Sequence, residues 1–192
     1  MIDNKKIKIK GEIRSFSLPG FIDHDFKFAG KKITTWISQA IQTKNWNIIK
    51  ILKDNGLILH ETYKENIIVT VGRAVMAERL SGGTTYSGEI NYGSVGIGAS
   101  PTPTNGDTQL INEQFRKLVE SQSFSDNISY IDFFFEKADF DTDVIGIITE
   151  FGNFIDGSAS ADSGQMWSYI ATGGWTKDSN TSLFVSCQYT FS

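Results

Sequence analysis

Hydrophobic and polar positions along this chain follow two periods, one near two residues and one near 3.6, and the period of two dominates. Residues 6–14 set isoleucine against charge and predict a strand with one solvated face, whose lysines discourage stray edge pairing. Leu18-Pro19-Gly20 breaks that pattern. In residues 31–41 the apolar positions Ile33, Trp36, Ile37, Ala40 and Ile41 recur at helical spacing and predict a short amphipathic helix with a core-facing stripe. Residues 46–52 and 57–63 read as two β runs joined through Asn55-Gly56, a dipeptide suited to the positive φ angles of a tight hairpin. Residues 67–71 predict another strand, from which Gly72 leads abruptly into a helix of about two turns, stopped by Ser81-Gly82-Gly83.

The middle of the chain, residues 87–99, is glycine-rich with alternating small and apolar residues, as in a strand approached closely by other backbone. A loop follows at residues 101–106, and Leu110, Ile111, Phe115, Leu118 and Val119 give residues 107–120 a helical spacing. Beyond that point the pattern is β throughout, in residues 128–135, 144–154, 166–171 and 182–191. The expected fold is mainly β: an antiparallel β-sandwich-like domain of roughly seven to nine strands with two or three short helices.

The 192 residues suit one domain, or a domain with an extension. Charge changes the picture more than length does. The net charge is −4, yet residues 1–60 carry eleven Lys/Arg against five Asp/Glu, and the remainder is strongly acidic. This partition suggests a basic N-terminal attachment segment at residues 1–44, a strand plus a short helix, and an assembly domain at residues 45–192. The basic residues are spread too thinly for a nucleic-acid site and better suit docking on an acidic neighbour. No apolar run is long enough to span a bilayer, and the polar start gives no sign of a signal peptide.

Candidate chemistry is sparse. His24 and His60 are far apart in sequence, and a lone Cys187 within an apolar run reads as a packed thiol. The segment Val95-Gly96-Ile97-Gly98 begins like a dinucleotide fingerprint, but Pro101 stands where the third glycine belongs. Asp139, Asp141, Asp143 and Glu150 fall at four ligand positions of a calcium-binding loop, while Val144 replaces the glycine such a loop needs. The alternatives are a loop calcium site and an Asp-rich turn facing water. No cofactor is expected.

Four pieces of sequence occur in an order that resembles the N-terminal region of phage tail-collar fibre proteins. They are Asn66 to Arg73 with the helix after it; Val95-Gly96-Ile97-Gly98; Asp107, Leu110, Glu113 and Arg116; and Ile148 to Phe154 with Glu150 and Gly152. The resemblance spans residues 45–192 and implies a non-enzymatic structural component of a tailed-phage virion, assembled in the host cytoplasm. It further implies homo-oligomerisation, other virion proteins as partners, and a tail, baseplate, collar or fibre-attachment position. The chain ends soon after its last β run, which favours a compact subunit over a long fibre.

Local readings accompany these motifs. Glu113 and Arg116, three apart on the expected helix, can pair on one face. Glu150 is expected to pair with Arg73 or Arg116, and Gly96 and Gly98 to permit close packing. Trp36, Trp46, Trp167 and Trp175 are candidate interface anchors, with the domain's own core as the competing place for at least two. The alternative functions are a head-surface decoration protein and a carbohydrate-binding β-sandwich module stacking Trp167, Tyr169 and Trp175 on sugar rings. A glycosidase has carboxylates enough, but no spacing singles out an acid/base pair.

Overall fold

The structure is a computed structural model and describes residues 8–192. Its frame is one antiparallel sheet of nine strands in the order β6-β5-β9-β10-β4-β1-β11-β8-β7. The strands are β1 (Ile9–Pro19), β4 (His60–Ile68), β5 (Ile90–Gly96), β6 (Glu113–Leu118), β7 (Ser121–Ser125), β8 (Ile128–Phe135), β9 (Ile148–Ile155), β10 (Gln165–Trp175) and β11 (Thr181–Phe191). A two-residue ribbon, β2 (Lys27–Phe28) with β3 (Lys31–Lys32), leads into α1 (Ile33–Thr43) and α2 (Trp46–Asp54). The remaining helices are α3 (Thr70–Leu80) and the single turn α4 (Thr142–Ile145).

The sheet curls until its halves face each other, so the fold is mainly β and sandwich-like. Phe133 of β8 meets Phe151 of β9 at 5.8 Å between ring centres, and Phe115 of β6 meets Phe135 of β8 at 6.3 Å. The strands at the two edges, β6 and β7, are consecutive in sequence, and only Val119 and Glu120 separate them. The chain thus crosses from one edge of the sheet to the other in a single step, and that step holds the curl. Alternation divides the side chains: Ile131, Phe133 and Phe135 enter the inner core, while Tyr130 and Phe134 pack outward under α1 and α2 with Phe16, Leu18 and Phe184. A smaller outer cluster of Val69, Leu110, Phe154, Met166 and Tyr169 covers the opposite part of the sheet.

The pairing of β1 corrects the proposed domain boundary. Gly11–Ser17 pair with β4 on one side, and all of β1 pairs with β11 on the other. The strand of the basic segment is therefore an inner strand of the sheet, paired on both sides with strands of the expected assembly domain, so the boundary at 44/45 does not divide the sheet. The part of the first expected strand before residue 8 lies outside the described residues. Residues 46–52 are not half of a hairpin but helix α2, with Ile49 and Leu52 buried three apart. Asn55-Gly56 ends that helix: Gly56, at φ +69°, donates to Lys53 O and Leu57 donates to Leu52 O, the paired bonds of a left-handed helix cap.

Residues 107–112 are loop, followed by strand β6, where a helix was expected. Leu110 there is buried outside the sheet while Phe115 packs toward the inner core, so the apolar positions serve two faces. Gly72 lies inside α3 and makes no turn. A Cβ there would stand 2.8 Å from Trp167 Cα and 2.9 Å from its carbonyl oxygen, so the glycine lets α3 lie directly on β10.

One buried carboxyl side chain joins the helical layer to the sheet. Asp132 of β8, 2% exposed, accepts from Ser121 Oγ at 2.9 Å and meets Ser38 Oγ of α1 at 2.5 Å. Ser38 has one proton but also faces Thr34 O at 2.9 Å. A protonated Asp132 resolves this, donating to Ser38 while Ser38 donates to Thr34. Burial, aided by the charge of Glu120, pushes the Asp132 carboxyl above its ordinary range, against hydrogen bonds from Ser186, Ser38 and Ser121 that favour the charged form. Such a raised group stabilises the fold fully below the ordinary carboxylate pKa, and that contribution is lost as pH rises through the raised value. Melting temperature measured from about pH 4 to about pH 8 should therefore fall less with pH in Asp132→Asn than in the unaltered chain; parallel profiles would exclude this role.

Candidate functional site

The motif residues of the second half converge on the outer face of β6, β5, β9 and β10. Cross-strand pairing lines up Ala171, Glu150, Gly96 and Glu113 in one row, and Tyr169, Gly152, Ser94 and Arg116 in the next. Glu113 and Arg116 are three apart on a strand, a spacing that ordinarily puts side chains on opposite faces. A bulge at Gln114, between the pairs Phe115↔Val95 and Glu113↔Gly96, returns them to the same face. They do pair, through strand geometry where a helix was expected.

Glu150 is fully buried, and its carboxylate is held by four donors. Oε1 accepts from the backbone N–H of Gly98 at 3.0 Å and of Asn112 at 2.8 Å. Oε2 accepts from the N–H of Ile111 at 3.0 Å and from the Tyr169 hydroxyl at 2.5 Å. Burial, together with this carboxylate, raises the Tyr169 pKa and keeps the phenol a donor. The expected partners are elsewhere. Arg116 pairs with Glu113, and Arg73 donates to Ile68 O and to Thr70 Oγ1 at the start of α3.

The glycines make this arrangement possible. A Cβ on Gly96 would lie 2.5 Å from Glu150 Oε1 and 2.6 Å from Asn112 O; one on Gly98 would lie 2.7 Å from Glu150 Oε1. The loop from Gly98 to Asn112 is thereby clasped over the sheet. Thr149 Oγ1 donates to Gly98 O at 2.8 Å, Leu110 packs against Gly152, and Asp107 ties the loop's bend by accepting from Thr104 N at 2.6 Å. Thr70 N donates to Asn105 O at 2.7 Å, which fastens the loop to α3. Beside it, Arg116 lies 4.2 Å over the Phe154 ring and donates to Ser163 O and Oγ, pinning the loop between β9 and β10. Chemically this is a fastening: the carboxylate's acceptor positions are filled by the chain's own donors.

The remaining candidates scatter. Asn66 sits inside the sheet within reach of the Tyr189 hydroxyl, at 3.5 Å. Asp139 accepts from Lys117 Nζ at 2.6 Å, Asp141 accepts from Asp143 N at the start of α4, and Glu150 belongs to the clasp, so the four acidic residues share no centre. The turn before α4 already contains a cation, the fully buried Lys177 ammonium, which donates to Lys137 O and Phe140 O. Burial lowers the pKa of Lys177. Among the described residues, no three His, Cys, Asp or Glu side chains are grouped to hold a metal.

Trp167 and Trp175 are core residues, and Tyr169 is buried with Glu150, which removes the proposed sugar-stacking platform. Trp36 is half-buried, with Nε1 bonded to Phe28 O at 2.9 Å. Trp46, 43% exposed, stacks on the Arg14 guanidinium at 4.4 Å. Cys187 is buried, which pushes its thiol up to about 12.

Sequence reasoning missed Tyr169 as the partner of Glu150, and it missed the three backbone donors. One signal was present: Glu150 is the single charge between Ile148 and Ile155, a run too apolar to leave a carboxylate unpaired. The same signal marks Asp132 within the run from Ile128 to Phe135. Comparison with protein-family models, curated proteins and solved structures found no match to the chain. Among the described residues, no helix is long and apolar enough to cross a membrane.

Removing the clasp should be among the costliest single changes. Glu150→Ala, which strands four donors, should lose about 4 kcal/mol or more, and Tyr169→Phe about 1–2 kcal/mol. Glu150→Gln should fall between them, since its amide cannot accept from Ile111. Urea unfolding of the three variants checks the order; equal and small losses would contradict the clasp.

Proposed function

We propose that this chain is a non-enzymatic structural subunit of a tailed-phage virion, and that it acts by assembling with copies of itself and with other virion proteins. The observation that carries the reading is β7. Ser121-Gln122-Ser123-Phe124-Ser125 forms one edge of the nine-stranded sheet, and every one of its residues is exposed. Soluble monomers protect such edges with charge, proline or bulges, because a free edge offers unpaired N–H and C=O groups to any passing strand. The strand β7 has no charge and no proline, it pairs with β8 in unbroken register, and Phe124 is 84% exposed.

A second copy meets that edge best in antiparallel fashion about a two-fold axis through Ser123. The free backbone groups then pair across the axis, and Phe124 of each copy comes against Gln122 of the other. This is a self-complementary contact of the kind closed homo-oligomers use. The motif order that resembles the tail-collar fibre proteins supports the same reading, since its residues build a rigid platform behind the clasped loop. Trp46 with Arg14 and Tyr63 supplies a second exposed aromatic-and-arginine surface, suited in composition to an unlike neighbour.

Light scattering coupled to size-exclusion chromatography should give a dimer or larger closed species, with Phe124→Lys shifting it to monomer while melting temperature is kept. Mass spectrometry of purified particles should find the chain among the structural proteins. A monomer at every concentration, together with absence from particles, would overturn the proposal.

A further inference from the structure

The chain contains two steps in which glycine directly follows asparagine, Asn55-Gly56 and Asn105-Gly106. In such a step the glycine nitrogen can approach the asparagine side chain, because no Cβ shields it. The structure treats the two steps differently. At the end of α2 the groups that would react are committed elsewhere. Gly56 N donates to Lys53 O at 2.9 Å, and Asn55 Nδ2 donates to Ile51 O at 2.8 Å.

Asn105 and Gly106, both exposed, instead form the bend of the loop clasped over the sheet. Gly106 N donates to a side chain, Thr104 Oγ1, at 3.3 Å, and Thr104 Oγ1 donates onward to Asp107 Oδ1 at 3.1 Å. A proton thus has a path from the nitrogen to a carboxylate. On the other side, Arg73 Nη1 donates to Asn105 Oδ1 at 3.4 Å, and this guanidinium draws electron density from the amide carbonyl. One amide carbon therefore has a nucleophile beside it, a base reached through a hydroxyl, and a cation on the oxygen where charge develops.

We infer that Asn105 is an autocatalytic modification site. Gly106 N attacks Asn105 Cγ, and its proton passes through Thr104 to Asp107. The N–C bond forms while Arg73 stabilises the oxyanion. The C–NH₂ bond then breaks, and the amide nitrogen leaves as ammonia with the proton returned from Asp107. Water opens the resulting succinimide, at Cγ to give aspartate or at the backbone carbonyl to give isoaspartate. Aspartate at this position faces Arg73 and the first turn of α3, where an anion is favoured, so the modification tightens the loop's fastening.

Peptide mapping by mass spectrometry tests this on the purified full chain at neutral pH, because replacing NH₂ by OH changes the mass. Asn105 should convert to two isomeric products while Asn55 stays an amide. In the guanidinium-unfolded chain the two steps should react alike, and Asn105 should be slower there than in the folded chain. Arg73→Gln, Thr104→Val and Asp107→Asn should each slow the folded-state conversion about tenfold or more and leave the unfolded-state rate little changed. A loop that reacts merely by being exposed would instead speed up when Asp107 no longer ties its bend. If a variant fails to fold, the comparison of folded with unfolded rates on the unaltered chain decides. Asn105 persisting as long as Asn55, or reacting no faster folded than unfolded, would overturn the inference, as would folded variants that convert at the unaltered rate.

Discussion

A carboxylate with no access to solvent dictates much of this architecture. Glu150 can lie buried in the sheet only if the protein supplies the hydrogen bonds that water would have given. Three backbone N–H groups and one phenol supply them. Those donors come from the start and end of the loop at residues 98–112 and from β10, so satisfying one side chain fixes a whole connection over the sheet. The demand spreads along the strand rows: Gly96 and Gly98 must lack side chains, and Gly152 must leave room for Leu110. The second buried carboxylate in the same row, Glu113, is matched separately by Arg116, which needs the bulge at Gln114 to reach it.

The same logic recurs where the fold is joined together. Lys177 fills its turn with donated hydrogen bonds, and Asp132 ties β8 to α1 and β7. In each case a polar group inside the fold is held by partners distant in sequence, so it enforces a particular register and not just burial. Against this background β7 is unusual. Every residue of β7 is exposed, Phe124 to 84%, whereas each of the other long strands has buried positions.

How much was legible in the sequence follows from how local the information is. The strands β8 and β11 match their expected limits closely, because unbroken alternation or a fully apolar run fixes a strand without outside help. Helix α1 likewise follows its own spacing. Asn55-Gly56 misled because a left-handed glycine serves a helix end and a hairpin equally well. The charge partition misled because β1 is paired with β4 and β11, and pairing with the last strand is invisible near the first. For the clasp, the sequence named Glu150, Gly96, Gly98, Leu110 and Gly152 as a set but not their wiring. Two expected arginine partners gave way to backbone N–H groups, which carry no side-chain signature.

Amide hydrogen exchange at Gly98, Ile111 and Asn112 tests the clasp most directly, because these three N–H groups point at a side chain outside any strand ladder. If Glu150 fastens the loop, they exchange only with global unfolding, at the rate of amides in the centre of β9 and β10. Exchange at the rate of an open surface loop, with β9 still protected, would contradict the account.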